Sequence, residues 1–132
     1  MSNVGPRRIL IVDDAGDARA VLAMALRTIA GASVEVAESA EHALALLGME
    51  SVDVLVTDIR MSGMSGFELL AALRESGRWP ACGALVISGE ADPELPRRAR
   101  EYGAAAFFSK PFSASEVRKS VISLLESSYG MA

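Results

Sequence analysis

Residues 52–66 read VDVLVTDIRMSGMSG, and this stretch decides the fold. Its first part is an apolar run of strand length without clean in/out alternation, the pattern of a strand covered on both faces. Asp58 ends the run, and a loop containing Gly63 follows at once. Aspartate is poor strand material and costly to bury unpaired. A carboxylate aimed out of the end of a core strand therefore needs a reason.

Working outward, four more runs look like this one. The expected strands are RILIVD (8–13), SVEVA (33–37), DVLVTD (53–58), ALVIS (84–88) and AAFFS (105–109). Between them lie helical stripes: Val21, Leu22, Ala25, Leu26 and Ile29, then Ala43, Leu44, Leu46 and Leu47. Phe67, Leu70 and Leu73 begin a third, and Val117, Val121, Leu124 and Leu125 form the last. Ser65–Glu68 and Ser113–Glu116 have capping-box spacing, and Gly31, Gly48, Gly77 and Gly103 fall where helices should stop. Asp92 could cap the remaining helix, but Pro96 would then delete its first internal bond, so a start near Pro96 is expected. Strand and helix alternating five times through short connections predicts an α/β, (βα)₅ doubly wound, five-stranded parallel sheet.

With 132 residues the chain is expected to form a single domain over 1–132, its core spanning about 8–127 with short tails. The net charge of −4 gives no global attraction to nucleic acid or anionic lipid, so neither is expected as a direct partner. The single cysteine, Cys82, excludes an internal disulfide and a thiolate metal cage. ILIV near the start is too short for a signal core or a membrane span, so a cytoplasmic location is expected.

In open parallel sheets, ligands bind outside the carboxyl ends of the strands. Here those ends carry Asp13 and Asp14, then Asp58, Ser88 and Lys110. Three carboxylates on one rim repel and call for a cation. With oxygen donors and neither histidine nor thiolate, the hard ion Mg²⁺ is expected, with Mn²⁺ as an alternative. Lys110 and the Ser88 hydroxyl suit phosphate oxygens. Taken singly, each residue has an ordinary explanation as a cap, turn former or surface charge; none of these predicts all five on one rim.

The array ILIVDD, LVTD-x-x-M, VIS and SKPF resembles the receiver domain of two-component response regulators, from about Arg8 to Leu125. The resemblance implies a flavodoxin-like receiver fold with strand order 2-1-3-4-5. It implies Asp58 as phosphoacceptor, Asp13, Asp14 and Asp58 as metal ligands with the Arg60 backbone carbonyl, and Ser88 and Lys110 on the phosphoryl group. Phe107 falls at the aromatic switch position, and Lys110–Pro111 is expected to be cis. A histidine kinase or histidine phosphotransfer protein would supply the phosphoryl group. The altered face would comprise the fourth helix, fifth strand and fifth helix, about residues 92–127. With no output domain expected, a downstream protein effector or homodimerisation through that face would carry the signal, and Arg97, Arg98 and Arg100 are candidate contacts there.

Three departures from the family pattern stand out. Ser62 replaces the usual proline, which relaxes the constraint on the unfolded chain by about 0.4–1 kcal/mol and allows a more mobile loop. Phe107 replaces the commoner tyrosine, and Ser88 the frequent threonine. Arg60 and Glu90, two residues past Asp58 and Ser88, are expected to pair over the phosphoryl group and slow attack by water. Haloacid-dehalogenase-type phosphatases also use a strand-end aspartate but need a second one two residues on, where Arg60 stands, so turnover of external substrates is not expected. A phosphorylation-independent interaction module is the alternative, and a dinucleotide-binding domain lacks its glycine-rich turn. His42 reads as an exposed helical residue, and Met61 and Met64 as loop anchors.

Overall fold

A computed structural model of the chain describes residues 5–130, so residues 1–4 and 131–132 of the expected domain lie outside the described residues. Five strands, β1 (Arg7–Val12), β2 (Ala32–Ala37), β3 (Val54–Asp58), β4 (Gly83–Ser88) and β5 (Ala106–Ser109), alternate with five helices. The helices are α1 (Gly16–Leu26), α2 (Ala40–Met49), α3 (Gly66–Glu75), α4 (Leu95–Glu101) and α5 (Ala114–Gly130). All strand pairs are parallel, in the order β2-β1-β3-β4-β5, as expected from the sequence.

Side chains along each inner strand go alternately to two cores. Ile9, Ile11, Val54, Val56, Leu85 and Ile87 meet α1 and α5 through Leu22, Leu26, Val117 and Val121. Leu10, Val12, Leu55, Ala84 and Val86 meet α2, α3 and α4 through Ala43, Leu47, Phe67, Leu70 and Ala99. Burial on both faces is why these strands read as unbroken apolar runs. The sheet is thereby a rigid platform, and function falls to the loops at its rim.

Several boundaries differ from the sequence expectation for local reasons. β3 starts at Val54 because the Asp53 side chain is engaged elsewhere, its carboxylate accepting the Arg8 N–H at 2.7 Å. Gly48 lies inside α2, which runs to Met49, whereas Gly31, Gly77 and Gly103 adopt the positive φ of helix ends. Val21 is 49% exposed rather than part of the α1 stripe. α4 begins late, at Leu95: Asp92 accepts the Glu94 N–H at 2.9 Å in a preceding turn, and Pro96 sits in the first helical turn where its missing N–H costs nothing. Ser65 and Glu68 close a full capping box, while Ser113 accepts the Glu116 N–H at 3.2 Å and the Glu116 carboxylate turns to Lys119.

Candidate functional site

Backbone bonds just past the strand ends gather the candidate residues. Asp13 N donates to Ala37 O at 3.1 Å, Ile59 N to Ile87 O at 3.2 Å, and Lys110 N to Ser88 O at 2.8 Å. Parallel pairing is thus prolonged by one residue, and the side chains of Asp13, Asp58 and Lys110 emerge on a single rim. The Lys110–Pro111 peptide is cis.

Lys110 Nζ bridges two acids, donating to Asp58 Oδ2 at 2.8 Å and Asp13 Oδ2 at 3.1 Å. The other oxygens are also held: Ile59 N donates to Asp58 Oδ1 at 2.7 Å, and Ala15 N to Asp13 Oδ1 at 2.9 Å. Asp58 is only 6% exposed and Asp13 1%, whereas Asp14 lies exposed and accepts the Ser62 N–H at 3.2 Å. Ser88 is fully buried, and its hydroxyl accepts the Glu90 N–H at 3.0 Å. Phe107 is half-buried against the α2–α3–α4 core.

Burial pushes the Asp58 carboxyl above its ordinary value, and the Asp13 charge adds to that, while Lys110 opposes it. For Lys110 burial works downward, but the bonds to Asp58 and Asp13 outweigh it and hold the ammonium above its ordinary value. The site is therefore short of positive charge. Asp13, Asp14 and Asp58 offer oxygens all within 4.8 Å of one another, against a single ammonium. A hard divalent cation fits this donor set, since carboxylate oxygens without nitrogen or sulfur select Mg²⁺ or Mn²⁺ over softer metals.

The loop after Asp58 is shaped by one steric demand. A Cβ at Gly66 would lie 2.1 Å from the Asp58 carbonyl oxygen and 2.9 Å from Ile59 Cα, so α3 can start there only on glycine. Gly66 N donates to Ile59 O at 2.7 Å, closing the loop behind the acid. Arg60 and Glu90 pair across the mouth, Nε and Nη2 both on Glu90 Oε2 at 2.5 Å. Met61 is buried and Met64 packs against the same core, so both anchor the loop.

Two groups were missed by sequence reasoning. Arg19 donates to the Asp13 carbonyl oxygen at 2.7 Å, and Glu41 accepts the Met64 N–H at 3.1 Å. No local pattern could have found Glu41, which lies 23 residues from its partner. His42 is exposed on α2, its N–H donated to the Ser39 cap. Among the three clustered arginines, Arg97 is tied to Glu94 and Glu101, and Arg98 lies 4.8 Å over the Phe67 ring, which itself stacks on Tyr102 at 4.6 Å. Arg100 remains exposed. Among the described residues, no helix is long and apolar enough to cross a membrane.

Comparison with known proteins gives one consistent family. Residues 9–122 match the response regulator receiver domain. The two-component response regulator ORR11 of Oryza sativa is 36% identical over 115 residues, covering 86% of this chain and 78% of its own. Chemotaxis protein CheY of Pseudomonas aeruginosa is 31% identical, covering 90% of this chain and 96% of its own. Among solved structures, the chemotaxis response regulator CheY4 of Vibrio cholerae superposes with a TM-score of 0.79 at 28% identity, over 90% of this chain and 98% of that one. The rim of carboxylates, hydroxyl and ammonium, on a sheet of this order, is carried by a chain that belongs to the response regulator receiver domain family of two-component systems.

Proposed function

We propose that Asp58 accepts a phosphoryl group from the phosphohistidine of a partner histidine kinase or histidine phosphotransfer protein, with Mg²⁺ bound. One observation carries this above the others: a buried carboxylate bonded to Lys110, with oxygens of two further acids within 4.8 Å of its own. An Asp58 oxygen forms the new bond to phosphorus while the bond from phosphorus to the imidazole nitrogen breaks. The electron pair stays on the imidazole, which takes a proton from solvent. No general base is required, because an ionised carboxylate is already a nucleophile.

Asp13, Asp14, Asp58 and the Arg60 carbonyl are the residues that would hold the ion. Bound there, it supplies charge compensation for the incoming phosphoryl oxygens. Lys110 contributes a point charge to one of those oxygens, and Ser88 turns its hydroxyl from the Glu90 N–H to another. Movement of Ser88 frees space beside Phe107 on β5. The population then shifts toward a state with an altered α4–β5–α5 face, which a protein effector or a second copy reads. Arg100 is the arginine of its cluster best placed for such a contact, since Arg97 and Arg98 are engaged within the chain. Turnover of an external substrate is not part of this proposal, because a cation at Arg60 stands where a second acid would be needed.

The test is transfer from a ³²P-labelled histidine kinase core, with and without a chelator. Label that appears on the chain only with a divalent cation supports the proposal. Absence of label with every kinase and small acyl-phosphate donor would hand the site to a phosphorylation-independent docking role.

The Arg60–Glu90 pair leads to a kinetic expectation. Exposed ion pairs add only about 0–1 kcal/mol to stability, so its effect is on the lifetime of the phosphoryl group. Arg60→Ala and Glu90→Ala are each expected to lose the phosphoryl group about two- to fivefold faster, and the double variant no faster than either. Unchanged rates of hydrolysis in both single variants would remove the pair from the mechanism.

A further inference from the structure

The backbone of the β3–α3 loop is gripped by two carboxylates from outside it. Ser62 N donates to Asp14 Oδ2 at 3.2 Å, and Met64 N donates to Glu41 Oε2 at 3.1 Å. Between them Gly63 stands at φ 80°, and a Cβ on it would lie 2.8 Å from Glu41 Oε2. At that positive φ glycine is the unstrained residue, and its missing Cβ leaves room for the Glu41 carboxylate as it stands. It belongs to the first turn of α2, where the helix N-terminus favours its negative charge.

These bonds bear on Asp14 in particular. Lys110 reaches Asp13 and Asp58, and both of those acids are buried. Asp14 is exposed, and its carboxylate is oriented by the Ser62 N–H. A hydrogen bond to one oxygen fixes the plane of a carboxylate and leaves the other oxygen for a cation, which is how groups behind a ligand tune metal sites. Proline at 62 could not do this, having no N–H to donate.

We propose that the Ser62 amide and the Glu41 carboxylate are positioning groups for the divalent cation. The Ser62 amide holds Asp14 in its ligating orientation. Glu41 holds the loop that carries Ser62, and with it Arg60, over the rim. The proposal rests on the metal-dependent reading of the site given above.

Mn²⁺ binding to the full chain, read by electron paramagnetic resonance of the free ion, tests it with two pairs of variants. Ser62→Pro and Ser62→Ala both lose the hydroxyl, but only Ser62→Pro loses the amide proton. Ser62→Pro is expected to bind Mn²⁺ about three- to tenfold more weakly than Ser62→Ala. Glu41→Ala is expected to weaken binding about threefold, and Glu41→Gln, which keeps an acceptor oxygen, to restore most of it. In the metal-free protein, hydrogen exchange at the Met64 amide should accelerate in Glu41→Ala.

The glutamate pair keeps the test decisive if Ser62→Pro does not fold. Equal Mn²⁺ affinities within both pairs, with wild-type binding intact, would overturn the positioning role and leave the phosphoryl reading standing. A wild-type chain that binds no Mn²⁺ while both amides stay protected would overturn the metal-dependent reading, and the positioning role with it.

Discussion

Asp58→Asn is expected to melt higher than wild type without divalent cations, by about 3–6 °C, while losing all phosphoryl uptake. The reason is the charge imbalance at the rim. Burial and the neighbouring Asp13 hold the Asp58 carboxyl above its ordinary value, so ionising it costs folding free energy. A group whose folded pKa is raised contributes its full share of stability at low pH and loses it as pH rises through the folded value. The advantage of Asp58→Asn should therefore be absent below about pH 4, where the unfolded carboxyl is also protonated, and grow toward neutrality. Saturating Mg²⁺ should shrink the gap, because the wild type binds the ion more tightly and gains stability by mass action. Thermal melts from pH 4 to 8, with and without Mg²⁺, check both the sign and the slope. A variant less stable than wild type at neutral pH would mean that the Lys110–Asp58 bond outweighs the repulsion.

Lys110→Ala should have the opposite effect on the empty site and an unexpected effect on the ion. Removing the ammonium that bridges Asp58 and Asp13 leaves three clustered carboxylates without the charge that ties two of them together. The metal-free protein should lose about 1–3 kcal/mol, less than for a fully buried pair because Lys110 is partly exposed. Mg²⁺ should nonetheless bind several-fold more tightly, since one competing positive charge has gone. The folded pKa of Lys110 is raised, so its contribution is present below the usual lysine range and lost only as pH rises beyond it. The stability difference should accordingly persist through neutral pH and fade only in strong alkali. It should also shrink in acid, as Asp58 takes up a proton. Calorimetric titration with Mg²⁺ and melts across pH measure both effects.

The fold was legible because the three inner strands, β1, β3 and β4, are buried on both faces. Runs such as RILIVD and DVLVTD are of strand length and rich in β-branched residues, and their alternation with helical stripes pointed to the connections. The site was legible for a related reason: strand ends are the easiest positions to locate, and Asp13, Asp58, Ser88 and Lys110 all stand at or just past one. What escaped was set by contacts distant in sequence. Gly48 reads as a helix stop, yet α2 continues through it because Leu46 and Leu47 still pack inward. Val21 reads as core, but α1 turns it toward the solvent beside Lys110 and Phe112. Likewise Arg97, Arg98 and Arg100 look like one basic patch until Glu94, Glu101 and Phe67 claim two of them.

Reductive trapping reads at the level of the atom whether Asp58 carries the phosphoryl group. Borohydride converts an aspartyl phosphate to homoserine, so the phosphorylated chain, reduced and digested, should yield homoserine at position 58 by tandem mass spectrometry. The mark should depend on Mg²⁺ during phosphorylation and vanish in Asp58→Asn. Homoserine at another aspartate in the wild type, or none at all in a chain that has taken up label, would contradict the account.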